Sequence, residues 1–224
     1  MMKRIIFLAA LSLSGASRAD TTATYAKAAA NFTMTVKIAA NGDIRGEMPG
    51  RTYYFVDGQD YFADRTSTGV FVARVDDLAK VMAEKVAELS GNMGLPSSSP
   101  PSLLLVRKGK VSINKWSGDA YYMQAPSGQV SPEPITVVSN DPSLAELGKA
   151  MERQFAKSEE MMRQVSKGHA PTSNMAEILK LGAPIAFAGA DLQSVSHDPI
   201  PKDAFVLPAP PAPIDEIRKK MIQH

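Results

Sequence analysis

The chain has 224 residues, 44% of them hydrophobic, which is enough to bury a core without covalent cross-links. It contains no cysteine, which excludes disulfides, thiol catalysis, cysteine-ligated metals and a lipid-modified amino-terminal cysteine. The formal net charge is only +2, so the sequence lacks the basic excess that is typical of nucleic-acid-binding proteins.

The first 19 residues predict a cleavable signal peptide. Lys3 and Arg4 precede the short apolar run 5–13, and Ser17-Arg18-Ala19 places small residues at the two positions that a signal peptidase reads. The run is far shorter than the roughly 20 residues of a membrane span. A buried amino-terminal helix is the alternative. Cleavage before Asp20 would leave 205 of the 224 residues and reduce the 25 basic residues to 22 against 23 acidic ones, a net charge of −1.

Residues 31–75 predict an antiparallel meander. Apolar and polar residues alternate along Phe32–Ile38, which is the period of a strand with one buried face. Asn41-Gly42 and Asp57-Gly58 favour hairpin turns because these residues tolerate a positive φ. Turn signals recur about every eight residues, as in a meander. The five predicted strands are Phe32–Ile38, Ile44–Met48, Arg51–Val56, Gln59–Asp64 and Val70–Val75.

Beyond Val75 the apolar period changes to that of helices. Apolar residues from Leu78 to Leu89 recur at three- and four-residue spacing, with Asp76 and Asp77 at the start and Gly91 as a stop. A Pro- and Ser-rich loop, 92–102, follows. The later predicted strands are Leu103–Arg107, Val111–Trp116, Ala120–Gln124, Ile135–Val138 and one or two within Ile185–Ser196. The later predicted helices are Ser143–Lys167, with Ser143 and Glu146 as a capping box, Asn174–Leu181 and a short one from Ile214.

Strands and helices are largely segregated along the chain, which favours an α+β fold over a parallel βαβ fold. We predict a large curved antiparallel β-sheet, half-barrel-like, with amphipathic helices packed on one face. The predicted division is a signal peptide, 1–19, a single domain, 20–207, and a proline-rich segment with a short helix, 208–224.

This order of elements resembles the half-barrel family of periplasmic lipoprotein carriers and lipoprotein-binding lids, and uncharacterised exported domains of similar shape. The resemblance rests on the meander 31–75 with Tyr53-Tyr54-Phe55-Val56-Asp57-Gly58, on Ile113–Met123 around Trp116, and on the closing strand before Phe205-Val206-Leu207-Pro208. It covers about two thirds of the chain in element order. It implies a periplasmic protein that holds a lipid or a lipidated partner, and it transfers no individual ligand-contacting residue.

Candidate catalytic and metal-binding residues are few. His169, His197 and His224 lack the spacing of metal ligands, which favours surface histidines over a zinc or copper site. Asp57, Asp60 and Asp64 cluster near a hairpin, where a calcium site or paired-acid catalysis is the alternative to simple turn chemistry. We therefore predict no catalytic residue, no metal and no cofactor.

The twelve methionines are soft, adaptable side chains that serve either as core filler or as the lining of an apolar cavity. A groove between sheet and helices would be lined by the apolar residues Met34, Met48, Met82, Met151, Phe155 and Met162.

The leading functional prediction is a non-enzymatic binding protein of the periplasm, or of the cell exterior, that holds a lipid, an acyl chain or a lipidated partner in such a groove. Its partners would be a hydrophobic small molecule or a lipidated protein. Nucleic acid is not an expected partner, and no integral membrane segment remains after signal cleavage. Two alternatives stay open: an envelope interaction or scaffold protein that docks a partner through Pro208–His224, and a hydrolase with an unrecognised site.

Overall fold

The computed structural model describes residues 19–27, 32–67, 69–93, 103–166 and 173–222. Residues 1–18 of the predicted signal peptide, His169 and His224 lie outside these ranges. The strands are β1 Thr21–Lys27, β2 Phe32–Ile38, β3 Ile44–Met48, β4 Arg51–Val56, β5 Gln59–Thr66, β6 Gly69–Arg74, β7 Leu104–Ile113, β8 Trp116–Gln124, β9 Thr136–Ser139, β10 Ala183–Phe187 and β11 Ala190–Ser196. The helices are α1 Val75–Met93, α2 Ala145–Val165, α3 Met175–Leu179 and α4 Ile214–Ile222.

All eleven strands form one open antiparallel sheet in the order β6-β5-β4-β3-β2-β1-β11-β10-β9-β8-β7. The curved antiparallel α+β fold that the sequence predicts is therefore confirmed. Strands β1 to β6 form a meander in one half of the sheet. In the other half β7 to β11 also lie side by side in chain order, with α2 and α3 in the connection between β9 and β10. The two halves meet where the first strand pairs with the last, so β1 is the central strand.

The central strand is absent from the prediction. Most residues of Thr21–Lys27 are small or polar, but burial alternates along the strand. Ala23 and Tyr25 are fully buried, and the residues on either side of each are half-buried. β1 pairs with β2 on one side and with β11 on the other. The tendency of a sequence to form a strand depends on the neighbours that pair and pack with it, and β1 is paired on both sides although its own sequence pattern is weak.

The β7–β8 hairpin also differs from the prediction, which interrupted the strands between Arg107 and Val111 and between Trp116 and Ala120. The single turn lies at Asn114-Lys115, where Asn114 has φ 52°. Gly109, at φ 72°, belongs to a bulge that shifts the register within β7. Gly118 lies inside β8, where an added Cβ would be 2.5 Å from the Val138 carbonyl oxygen of β9. Neither glycine marks a turn between strands: Gly109 allows the bulge in β7, and Gly118 allows β9 to approach β8 closely.

The main core lies between one face of the sheet and the first half of α2. Leu144, Leu147 and Met151 pack there against residues of β1 to β4 and of β8 to β11. The predicted capping box is wrong in detail. A short 3-10 turn, Pro142–Leu144, precedes the helix, and the Asp141 carboxylate accepts from the Ser143 backbone N–H at 2.9 Å and from its hydroxyl at 2.8 Å.

The opposite face of β4 to β6 is covered by the segment that follows β11. Phe205 is 8% exposed and packs with Tyr54, Tyr61 and Val72 of those strands. The chain then passes along the proline-rich stretch to α4, where Ile217 is fully buried beside Val81 of α1. Residues 208–222 are therefore packed onto the protein's own sheet and helices.

Both edges of the sheet receive local cover. At β6 the Ala212 N–H donates to the Val72 carbonyl at 2.8 Å. At β7 the side-chain amide of Asn174 accepts from the Leu105 N–H at 2.8 Å and donates to the Leu105 carbonyl at 2.9 Å. Such cover limits pairing with strands of other molecules.

Candidate functional site

A groove of about 570 Å³ lies between α2 and the segment that contains α3. The Ser173 hydroxyl donates to the Glu159 carboxylate at 2.9 Å at one end, and Lys180 lies near Glu152 at the other. The two segments therefore run antiparallel. The groove between them is lined by Glu152, Phe155, Ala156, Ser158, Glu159, Met162, Arg163, Ser173, Ala176, Glu177 and Lys180.

The apolar part of this α2–α3 groove is formed by Phe155, Ala156 and Met162 on α2 and by Ala176 on α3. Phe155 is held in place by an edge-on contact with Phe187 of β10, with the ring centroids 4.9 Å apart. Met162 is 46% exposed, although most apolar side chains of its stripe on α2 are covered. The groove is thus an apolar strip that the protein leaves open to solvent.

Charged side chains border the strip. Lys180 donates to Glu177 at 2.7 Å, and this ion pair raises the pKa of Lys180. Glu159 is engaged by Ser173, and Arg163 stands at the end of the groove nearest the carboxyl end of α2. Apolar floors with a few polar groups at the rim are typical of small-molecule sites.

The six predicted lining residues do not lie together. Met34 and Met151 are buried in the main core, at 7% and 2% exposure. Met48 packs against the same core, and Met82 is half-buried on α1. Phe155 and Met162 both line the α2–α3 groove. The space directly between sheet and α2 is therefore filled by side chains, and the open apolar surface lies farther along the same helix.

A second, polar cavity of about 540 Å³ lies on another side of α2, next to the β4–β5 hairpin. There Tyr53 donates a short hydrogen bond to Asp60, and Arg153 donates to the other Asp60 oxygen at 3.3 Å. The Arg153 guanidinium lies 3.4 Å from the ring centre of Phe55. Burial, and then the hydrogen bond to Asp60, raise the pKa of Tyr53. These contacts neutralise a buried carboxylate and fasten α2 to the hairpin.

The aspartates and the histidine singled out by sequence have separate surroundings. Asp57 occupies the hairpin turn at φ 51°, Asp60 is bound by Tyr53 and Arg153, and Asp64 pairs with Arg51 at 2.6 Å. The Nδ1 atom of His197 lies 3.3 Å from the Thr21 hydroxyl. Within the described ranges, no three His, Asp or Glu side chains are grouped so that they could hold a metal ion.

Comparison of the chain with protein-family models, with curated proteins and with solved structures gave no match in any of the three. Among the described helices, none combines the length and the apolar character that crossing a membrane requires.

Proposed function

We propose that this protein is exported and binds the hydrophobic chain of a lipid, or of a lipid-modified partner, in the α2–α3 groove. The observation that carries the proposal is the open apolar strip formed by Phe155, Ala156, Met162 and Ala176 beside a fully packed core. The predicted signal peptide and the resemblance to half-barrel lipoprotein carriers favour the same role.

The size of the groove suits a single chain. Its volume of about 570 Å³ lies within the roughly 300–1,000 Å³ of small-molecule sites. Eleven helical steps separate Glu152 from Arg163, so the α2 wall is about 16 Å long at 1.5 Å per residue. Each methylene buried there contributes about 0.8 kcal/mol. Micromolar binding corresponds to about 8 kcal/mol, so the bound chain has to bury at least about ten methylenes, and more once the cost of association is included.

Replacing Met162 by Gln tests the apolar floor. Gln has nearly the length of Met but replaces its apolar thioether by a polar amide, whose burial beside an alkyl chain costs free energy. Because Met162 is already 46% exposed, we expect a loss of about 1 kcal/mol, or about fivefold weaker binding of a fluorescent fatty acid. Met123→Gln is the matched control, since Met123 is 38% exposed on β8 and does not line the groove.

Ala176→Trp tests the same groove by filling it. The variant is expected to keep the fold, measured by circular dichroism, and to abolish binding of the fatty acid. Equal affinities of the wild type and of the Met162 and Ala176 variants would refute the proposal.

The source of the chain is distinguished by mass spectrometry of protein purified from its own envelope. A free lipid released on extraction identifies a lipid ligand. A lipid-modified protein that co-purifies with the wild type, but not with Ala176→Trp, identifies a partner. Protein that carries neither, and that also fails to bind the fluorescent fatty acid, contradicts the proposal.

A further inference from the structure

Asp20 ties two distant segments of the chain to the start of the central strand. Its Oδ1 atom accepts a hydrogen bond from the Ala40 N–H at 2.8 Å, and its Oδ2 atom accepts from the Ile200 N–H at 2.7 Å. Its carbonyl oxygen lies 3.3 Å from Nδ1 of His197. Both carboxylate oxygens thus satisfy backbone donors that belong to no strand ladder, an arrangement stronger than a neutral hydrogen bond.

The two donors come from opposite halves of the sheet. Ala40 lies in the turn between β2 and β3, and Ile200 follows β11, where the chain starts towards the proline-rich segment. β1 separates these halves as the central strand. Asp20 therefore links the two halves of the sheet at the end of β1 through its two carboxylate oxygens, and we call this residue the clasp.

The predicted cleavage site lies where the described chain enters the sheet. Ala19 is exposed, Asp20 is half-buried, and Thr21 is 2% exposed and paired with Ile38 of β2. Asp20, the residue that signal peptidase would leave first, is thus held by the fold through its carboxylate. The Ser17-Arg18-Ala19 pattern selects the same position without reference to the fold.

We propose that the chain is processed at the Ala19–Asp20 bond and that the new amino-terminal residue serves as the clasp that joins the two halves of the sheet. The inference rests on the predicted signal peptide and is independent of the ligand in the α2–α3 groove. Cleavage one residue farther along the chain would remove Asp20. Cleavage after the sheet has formed would require β1 to leave its place between β2 and β11, because a protease acts on locally opened chain.

The first test is the intact mass of protein recovered from the envelope of cells that express the full chain. The expected mass is that of residues 20–224. A product that begins at Thr21 or later, or one that retains residues 1–19, would overturn the assignment of the processing site.

The second test is amide hydrogen exchange at Ala40 and Ile200 in the mature protein. Asp20→Ala removes both acceptors, so these two amides are expected to exchange at least about tenfold faster than in the wild type. Asp20→Asn keeps one acceptor oxygen, so one amide of the two should retain protection. A purely global loss of stability would accelerate exchange at buried strand amides as well, which distinguishes it from loss of the clasp.

Asp198→Asn is the control because its carboxylate makes local contacts, accepting from the Ser196 hydroxyl at 2.5 Å, two residues away in the chain. It should leave exchange at Ala40 and Ile200 within about twofold of the wild type. Unchanged exchange at both amides in Asp20→Ala would overturn the clasp, whatever the outcome of the fatty-acid titration.

Discussion

Replacing Tyr25 by Phe removes one buried hydroxyl from the middle of the sheet and keeps the aromatic ring in the core. Tyr25 is fully buried in β1, and its hydroxyl reaches across β11 to donate to the Pro184 carbonyl of β10 at 2.6 Å. The ladder between β9 and β10 is irregular at Pro184, where the register shifts. The substitution therefore leaves a buried carbonyl without the donor that the tyrosine provides.

The expected cost follows from that unpaired acceptor. A buried polar group that loses its partner destabilises a protein by about 1–3 kcal/mol, and no cavity term is added because the ring remains. For a domain of this size each kcal/mol lowers Tm by about 2–4 °C. Tyr61→Phe is the control. Tyr61 is 8% exposed and its hydroxyl has no hydrogen bond within the described ranges, so the change in stability should stay below about 0.5 kcal/mol.

The same substitution should also change how the free energy of unfolding depends on pH in the alkaline range. Burial raises the pKa of Tyr25, so the folded protein keeps a proton that the unfolded chain loses near pH 10. The stability that this tyrosine contributes is therefore complete below pH 10. It falls by about 1.4 kcal/mol for each pH unit above that value, and Tyr25→Phe removes this dependence. The difference in stability between wild type and variant should narrow from pH 10 to pH 11.

Urea unfolding at pH 8, 10 and 11 measures both effects. Equal stability of Tyr25→Phe and Tyr61→Phe at pH 8 would show that the Pro184 carbonyl does not depend on the tyrosine. A difference between wild type and Tyr25→Phe that stays constant from pH 10 to pH 11 would show that Tyr25 ionises as readily in the folded state as in the unfolded one. Either result would refute the reasoning.

Two further predictions concern the packing of the sheet. Gly118→Ala should destabilise the protein by about 1–3 kcal/mol or more, because the new Cβ would lie 2.5 Å from the backbone oxygen of Val138. Gly46→Ala should be tolerated, since its nearest neighbour would be a Gln154 side-chain atom at 3.7 Å; thermal melts of the two variants compare them directly. Ile217→Ala should cost about 2–5 kcal/mol, because this side chain is fully buried between α4 and α1, whereas Arg218→Ala should lower Tm much less, because its ion pairs are exposed. Equal Tm values for the Ile217 and Arg218 variants would contradict the packed position of α4.

The meander β2 to β6 could be predicted because each strand shows its buried face through alternation and each turn through its own residues, as Asn41-Gly42 and Asp57-Gly58 do. Those signals are local, and the structure follows them. β1 could not be found in this way, because Thr21–Lys27 becomes a strand through the two neighbours that pair with it. The β7–β8 turn was misplaced for a related reason, since Gly109 and Gly118 are required by a bulge and by a close neighbouring strand rather than by turns.

The α2–α3 groove shows a further limit of sequence patterns, because one apolar stripe on α2 serves two purposes. One side of the helix carries a stripe of apolar residues spaced by four or seven positions: Leu147, Met151, Phe155 and Met162. This spacing does not indicate which of them are buried and which are exposed. Their exposure separates them: Leu147 and Met151 are at 0% and 2%, Phe155 is half-buried and Met162 is 46% exposed.

The change along the stripe has a geometric cause. A straight helix lies close to a curved sheet over only part of its length, so apolar side chains beyond that part need another cover. α3 supplies some of it by packing beside the middle of α2, between Glu152 and Glu159. Asn174 binds this segment to the edge strand β7. The groove is the apolar surface around Met162 that α3 does not cover. Its existence therefore follows from the curvature of the sheet and the length of α2 together, which the period of the stripe alone does not contain.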